Sequence, residues 1–277
     1  MTRRWRALAM TVVAVVAAGC GSGSSSGGTS KPSGQMILGT TTSTRDTGLL
    51  DTLVPAFEHA TACSVKTVAV GSGQALDLGA RGQADVLLVH SPAAEETFMK
   101  QGHGLSRTAV MHNDFVLVGP PSDPAKTAGA GGIVPALRAI ARTKAPFASR
   151  ADDSGTNAKE LKLWQQAGIS PSGAWYIKTG QGMGPTLVIA SQKRAYTLSD
   201  RGTFLATKNL DSKILVQGGQ ALQNPYHVIV VKHSGTNVGC AKEFARWITS
   251  PSTQSVIGSF GKRQYGQALF HPDAVAR

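Results

Sequence analysis

Three short segments concentrate hydrogen-bond donors of the kind that hold an anion. The first, Gly39-Thr40-Thr41-Thr42-Ser43-Thr44-Arg45-Asp46-Thr47-Gly48, crowds hydroxyls and a guanidinium into one loop. The second, Val70-Gly71-Ser72-Gly73-Gln74, sets a serine between glycines. In the third, Ser149-Arg150-Ala151-Asp152-Asp153-Ser154-Gly155-Thr156-Asn157, a rigid cationic fork stands beside hydroxyls and a glycine that lets backbone approach a ligand. Each follows a short apolar run and precedes a helix-like stretch, so each also offers free backbone N–H groups at a helix N-terminus. Helix caps use Ser, Thr and Asp too, but one cap needs one hydroxyl, and the first and third segments supply several. Gly180-Gln181-Gly182-Met183-Gly184 adds a loop with backbone groups only, and Asp200-Arg201-Gly202-Thr203 reads as a plain cap with its own ion pair.

The elements that must position these loops alternate along the chain. Met36 to Leu38, Ser64 to Val70, Val86 to His90, Phe115 to Gly119, Trp175 to Lys178, Ala195 to Leu198 and His227 to Val231 read as strands, mostly apolar runs suited to burial on both faces. Between them Leu49, Leu50, Leu53, Val54 and Phe57 recur at helical spacing with Pro55 as an expected kink, as do Ile133, Leu137 and Ile140, and Phe244, Trp247 and Ile248. This is the pattern of α/β layering. Composition breaks at Gly119-Pro120-Pro121-Ser122-Asp123-Pro124 and from Gly218-Gly219 to Asn224-Pro225 suggest a chain that leaves one lobe, builds a second and returns. The expected division is residues 35–118 with 226–277 for lobe 1, and 119–225 for lobe 2.

Arg3, Arg4 and Arg6, the apolar stretch Ala7 to Ala18 and Gly19-Cys20 read as an export signal of residues 1–19, too short to span a bilayer as a mature helix. Ala17-Ala18-Gly19-Cys20 resembles the lipobox of bacterial lipoproteins, with Ala17 where Leu is usual, and makes Cys20 the expected acylation site. The Gly/Ser tract that follows, within residues 20–34, reads as a flexible tether. The 277 residues, 41% hydrophobic and 16% charged, can bury a core and are too polar for a multispanning membrane protein. A net charge of +12 suits nucleic acid, an anionic membrane or a small anion. With 6% aromatic residues and no long basic block interleaved with them, nucleic acid is not expected. For Cys63 and Cys240, a disulfide and two separately buried thiols both stay open. No CxxC or HExxH supports a metal site, and no cofactor is expected.

Six segments, TTTSTRDTGLL (Thr40 to Leu50), VGSGQAL (Val70 to Leu76), ADVLLVHSP (Ala84 to Pro92), SRADDSGTNAKE (Ser149 to Glu160), GMGPTL (Gly182 to Leu187) and AYTLSDRGT (Ala195 to Thr203), resemble the tungstate-binding proteins of the Tup-type ABC importers. They occur in that family's order. The resemblance implies a type II periplasmic-binding-protein fold: two α/β lobes joined by two crossover strands, with a ligand cleft between them. It implies an extracytoplasmic, lipid-anchored monomer that binds tungstate, or the like-shaped molybdate, and hands it to a membrane permease. Carried over by motif, the ligand-binding set is Thr41, Thr42, Ser43, Ser72, Arg150, Ser154, Gly155 and Thr156. A fully deprotonated dianion has only acceptor oxygens, which a donor-rich site matches.

Phosphate is the nearest alternative ligand, because an Asp-rich loop such as Asp152 to Thr156 could accept the proton of monohydrogen phosphate. An enzyme finds less support. The one GxSxG, Gly23 to Gly27, lies in the tether where no strained elbow can form, and there is no P-loop lysine or GxGxxG. His59, His90, His103, His112, His227, His233 and His271 show no partner at catalytic spacing. A cell-surface adhesin or scaffold would use the tether but leave a donor-lined cleft without purpose.

Overall fold

The computed structural model describes residues 31–274, so the export signal, Cys20 and most of the tether lie outside the described residues. In chain order the elements are β1 (Ser33–Thr41), α1 (Thr42–Asp46), α2 (Leu49–Ala60), β2 (Ala62–Val70), α3 (Ser72–Ala80), β3 (Val86–Val89), α4 (Pro92–Lys100), β4 (Gly104–Gly119), α5 (Ile133–Thr143), β5 (Phe147–Ser149) and α6 (Gly155–Gln166). There follow β6 (Tyr176–Lys178), α7 (Met183–Gln192), β7 (Thr197–Asp200), α8 (Arg201–Ala206), β8 (Lys213–Val216), β9 (Gln223–Val231), α9 (Val238–Ile248), α10 (Pro251–Ser259), α11 (Lys262–Tyr265) and β10 (His271–Pro272). Among the described residues no helix is long and apolar enough to cross a membrane.

The strand order β10-β4-β9-β3-β1-β2 forms one lobe's sheet, with β1 parallel to β2 and β3, and β9 antiparallel to β3 and β4. Beyond Asp114, β4 changes company: Phe115–Val118 pair with β7 and Leu117–Gly119 with β8. Parallel β5 and β6 join the second group through a bridge from Phe147 to Tyr196. One long strand therefore serves both lobes, and β9 is the return crossing. The two crossings are paired, Asn113 to Asn224 and Asp114 to Gln223. The partners of β4 thus change after Asp114, several residues before the break at Gly119-Pro120.

Each lobe has its own core. The helical spacing read in α2 buries Leu49, Leu50, Leu53 and Phe57 against Met36, Leu38, Val228 and Phe244. Pro55 is carried inside this helix. In the second lobe the apolar stripe of α5 buries Ile133, Leu137 and Ile140 with Phe115, Leu117, Phe147, Trp164 and Tyr196. Strands β8 and β10 and the first half of β4 are additions to the strands expected from sequence; Gly104 to Asp114 mixes polar and apolar residues without a continuous apolar run, and its first six residues are exposed or half-buried. Pro225 sits within β9 without breaking it because β3 pairs only from His227 onward, so no second neighbour needs its missing N–H. Cys63 and Cys240 are joined by a disulfide with Cα atoms 5.8 Å apart, which resolves the two readings left open.

Candidate functional site

In both lobes the loops rich in donors sit at the carboxyl ends of parallel strands, the edge where α/β sheets bind ligands. Thr41 ends β1 and caps α1, its hydroxyl accepting from the Thr44 N–H at 3.2 Å. Ser72 opens α3 directly after β2, and the Gly71 N–H donates to Gln74 Oε1 at 3.2 Å, which holds that turn. On the facing lobe β5 ends at Ser149, and Ser154 caps α6 by accepting from the Asn157 N–H at 3.2 Å. Ala151 and Asp153 take left-handed backbone angles, φ 48° and 55°, which fold the Arg150–Ser154 segment back on itself.

These loops meet. A Cβ on Gly155 would lie 2.9 Å from Ser72 Oγ and 3.1 Å from the His90 carbonyl, so α6 approaches the first lobe at a distance only glycine permits. A Cβ on Gly71 would lie 3.6 Å from Ser154 Cα, and one on Gly182, at the start of α7, 3.7 Å from Thr42 Oγ1. The eight residues named from sequence thus come from three loops: the second-lobe loop is seated against the Gly71–Ser72 turn and His90, and the start of α7 lies against Thr42. Thr41, Ser43, Ser72, Arg150, Ser154 and Thr156 are all 3% exposed or less.

Their hydrogen-bonding states differ in a way that matters. Thr42 Oγ1 and Ser72 Oγ are buried without any partner. Leaving such a group dry costs about 1 to 3 kcal/mol, so Ser72 beside Gly155 and Thr42 beside Gly182 mark places where an acceptor would relieve a penalty. Thr41 and Ser43 are engaged with each other at 3.1 Å and with His90 Nε2 at 3.2 and 3.3 Å. Arg150 directs Nε and Nη2 to Asp152 Oδ2 at 3.1 and 2.6 Å, while Nη1 lies 3.5 Å from Thr156 Oγ1. Asp152 also accepts from the Ser154 N–H at 3.3 Å, so this carboxylate braces the arginine and the helix start; Asp153 is exposed.

His90 is the residue that sequence reasoning left among the generic histidines. It follows β3, is buried, and accepts no charge readily: burial pushes its imidazole down to about 4 against the hydrogen bond to Asn224. Asn224 Nδ2 donates to Asn113 Oδ1 at 2.7 Å, so Asn224 Oδ1 is the acceptor for His90 Nδ1–H at 3.0 Å. The network then assigns Nε2 as the lone pair that receives a hydroxyl proton from Thr41 or Ser43. A chain of hydrogen bonds runs from the donor loop through His90 to both crossing strands. Its only cue in the sequence is that a histidine ends an apolar strand.

Asp200 is a second unheralded member. It caps α8 by accepting from the Thr203 N–H at 2.8 Å, as expected, but the ion pair read for Arg201 is made instead with Asp114 of β4, at 2.8 and 2.5 Å. Asp200 is fully buried, and its Oδ2 and Thr203 Oγ1 make no hydrogen bond of good geometry. Burial pushes its carboxyl up to about 6, opposed by the Thr203 N–H and hydroxyl and by the charge of Arg150. Two cavities of about 710 and 740 Å³ open beside these loops, one lined by Asp153, Asn157, Trp164 and Tyr176 and the other by Asn113, Asp114, Arg201 and Gln217, but Thr42, Ser72, Arg150 and Asp200 line neither. The donors are found by their burial and missing partners, not by volume.

Residues 22–252 match the family model described as the PBP superfamily domain. A curated tungstate-binding protein TupA from Peptoclostridium acidaminophilum is 48% identical over 276 residues, covering 96% of this chain and 96% of that protein. The crystal structure of a tungstate ABC transporter protein from Geobacter sulfurreducens is 44% identical with a TM-score of 0.74, covering 82% of this chain and 98% of that one. That of the tungstate binding protein TupA from Desulfovibrio alaskensis G20 is 42% identical, also with a TM-score of 0.74, over 88% and 100%. With that likeness running through nearly its whole described length, and with two lobes that share crossing strands as in a type II periplasmic-binding protein, the chain belongs to the TupA family of tungstate-binding proteins within the PBP superfamily.

Proposed function

We propose that this chain is the extracytoplasmic solute-binding component of an ABC importer, that it takes up tungstate between its lobes, and that it is a carrier without catalytic activity. The observation that carries the reading is the pair of buried, partnerless hydroxyls of Thr42 and Ser72, Ser72 facing Gly155 of the Arg150–Thr156 loop and Thr42 facing Gly182 at the start of α7. Around them the first-turn N–H groups of α1, α3 and α6 add donors that no intrahelical bond consumes. The ligand-binding set is Thr41, Thr42, Ser43, Ser72, Arg150, Ser154, Gly155 and Thr156. A hydroxyl that accepts in a cap, as that of Ser154 does, keeps its hydrogen to give to an oxyanion. The relatives named for tungstate support this ligand, and molybdate shares its charge and shape.

Tungstate is favoured over phosphate by where the loop aspartates point: Asp152 is spent on Arg150 and Ser154, and Asp153 faces solvent. Calorimetry of residues 35–277 against tungstate, molybdate and phosphate tests the assignment. Tungstate should bind and millimolar phosphate should not displace it. Arg150→Ala should weaken tungstate binding by about ten- to a hundredfold, the loss of one charge-assisted hydrogen bond. Effective phosphate competition, abolished by Asp152→Asn, would overturn the tungstate reading.

The lobes are residues 35–118 with 226–277 and 119–225, with the pairing of Phe115–Gly119 to β7 and β8 favouring assignment of those five residues to the second. Acylated Cys20 and the Gly/Ser tether would hold the monomer near a permease in the membrane. Cys20→Ala should release the protein from the membrane fraction with binding by the purified body intact; continued membrane partition would exclude the anchor.

A further inference from the structure

The site has one buried acid that neither anion capture nor the salt bridges of the loop account for. Asp200 ends β7, and the bridge from Phe147 to Tyr196 sets β7 parallel beside β5, so Asp200 stands at the same strand edge as Arg150. Oδ1 serves the α8 cap, while Oδ2 makes no hydrogen bond of good geometry; the Thr203 hydroxyl stands near enough to the carboxyl to favour its ionised form. Capping alone needs one oxygen. Across from α8 lies the first lobe: a Cβ on Gly202 would come 2.7 Å from Thr47 Cγ2, and Asp200 lies close enough to Tyr226 to raise its phenol by charge. An ionised carboxylate here would face a dianion only a short way off in a dry site, where like charges repel strongly. A neutral carboxyl would present an O–H.

We propose that Asp200 is a specificity-determining residue of the anion site: its carboxyl meets the oxyanion as a neutral hydrogen-bond donor, so that binding is coupled to the uptake of one proton from solvent. This rests on the tungstate-carrier reading and deepens it. In the empty cleft burial disfavours the ionised carboxylate, while the Thr203 N–H and hydroxyl and the charge of Arg150 favour it. A bound dianion cancels the field of Arg150 and adds its own, so the proton affinity of Asp200 rises on binding, and by linkage protonation strengthens binding equally. The other charges on the elements packed around it are already committed. Arg45 and Asp46 on α1 pair with each other, Arg201 pairs with Asp114 of β4, Lys159 on α6 lies over the Phe115 ring, and Glu160 is bonded to Ser149, Trp164 and Tyr176. The segment of α7 carries no charge, and Arg150 is braced by Asp152. Selectivity follows. A protonated anion such as monohydrogen phosphate needs an acceptor, and a neutral Asp200 that donates leaves that proton unmatched.

The test is calorimetry of the whole exported body with sodium tungstate at pH 6.5 and 8.5, in buffers of different ionisation enthalpy. We expect uptake of between about half and one proton per anion, and an affinity at least about tenfold weaker at pH 8.5. Asp200→Asn keeps a donor that cannot titrate; it should take up no proton and lose most of the pH dependence. Should that variant not fold, the infrared difference spectrum of the wild type decides, because binding must bring up the carbonyl stretch of a protonated carboxyl. Tungstate bound without proton uptake, or an Asp200→Asn profile that matches the wild type, overturns this inference and leaves the carrier reading standing. Failure of tungstate to bind at either pH overturns both.

Discussion

His90 and Asp200 carry opposite proton chemistry in adjoining parts of one buried cluster, and the difference is measurable in the empty protein. Burial lowers the His90 imidazole from 6.5 to about 4, so the unfolded chain binds its proton first and stability is lost as pH falls from 6.5 towards 4. Burial raises the Asp200 carboxyl from 3.8 to about 6, so the folded chain holds that proton longer and stability is lost as pH rises from 3.8 towards 6. Each effect amounts to about 3 kcal/mol across its window, and in the wild type they largely offset. Chemical denaturation at pH 4 and 6.5 separates them. Relative to wild type, His90→Gln should gain stability towards pH 4 and Asp200→Asn should gain it towards pH 6.5. Equal slopes for both variants would mean that these groups are not held in the states described. At this scale the sequence was informative where residue type and clustering coincide. Arg150 among hydroxyls, or Ser72 between glycines, announces a donor, whereas one histidine or one cap aspartate carries no spacing signal, and only the fold supplies its neighbours.

Helix starts do two jobs in this molecule, and mutation separates them by sign. The hydroxyl of Ser154 caps α6, so Ser154→Ala should cost about 1 kcal/mol of stability and weaken anion binding as well. Thr42 and Ser72 cap nothing and are buried unsatisfied, so Thr42→Val and Ser72→Ala remove a stored penalty. Those variants should be more stable than wild type by about 1 kcal/mol when empty, while binding tungstate about tenfold more weakly. Thermal melts with and without tungstate report both quantities, and a loss of empty-state stability in Thr42→Val would show that its hydroxyl is structural. Most strands and helices were legible because their apolar runs and helical stripes are long. Gly104 to Asp114 carries no strand signal because its first six residues are exposed or half-buried, and polar residues interrupt the apolar ones at the lobe crossing, where β4 must serve two sheets. Punctuation by Pro and Gly at Gly119-Pro120 marks where β4 ends, and that one uninterrupted strand pairs first with β9 and then with β7 and β8.

Across the whole molecule, the second lobe is inserted between segments that the first lobe must hold together, and the disulfide acts on that insertion. Cys63, at the start of β2, and Cys240, on α9, are 177 residues apart in sequence, and the loop they close contains the entire second lobe. Closing so long a loop removes about 5 kcal/mol of chain entropy from the unfolded state in the loop model, with about 2 to 5 kcal/mol the usual measured cost of losing a native bridge. The bridge is remote from the ligand. Cys63 is in register with Gly34 near the start of β1, and the donor loop begins at Thr41 at its other end, about 23 Å away at ~3.3 Å per residue. Cys63→Ser with Cys240→Ser should therefore lower the melting temperature by several degrees, while tungstate affinity at a temperature where the variant is folded stays within a few fold of wild type. The shift produced by saturating tungstate should also survive in the variant, because binding stabilises only the folded state and the cleft does not depend on the bridge. A large loss of affinity in a folded double variant would show instead that the far end of β1 communicates with the cleft, and the two lobes would then have to be treated as one mechanical unit from the disulfide to the Asn113–Asn224 crossing.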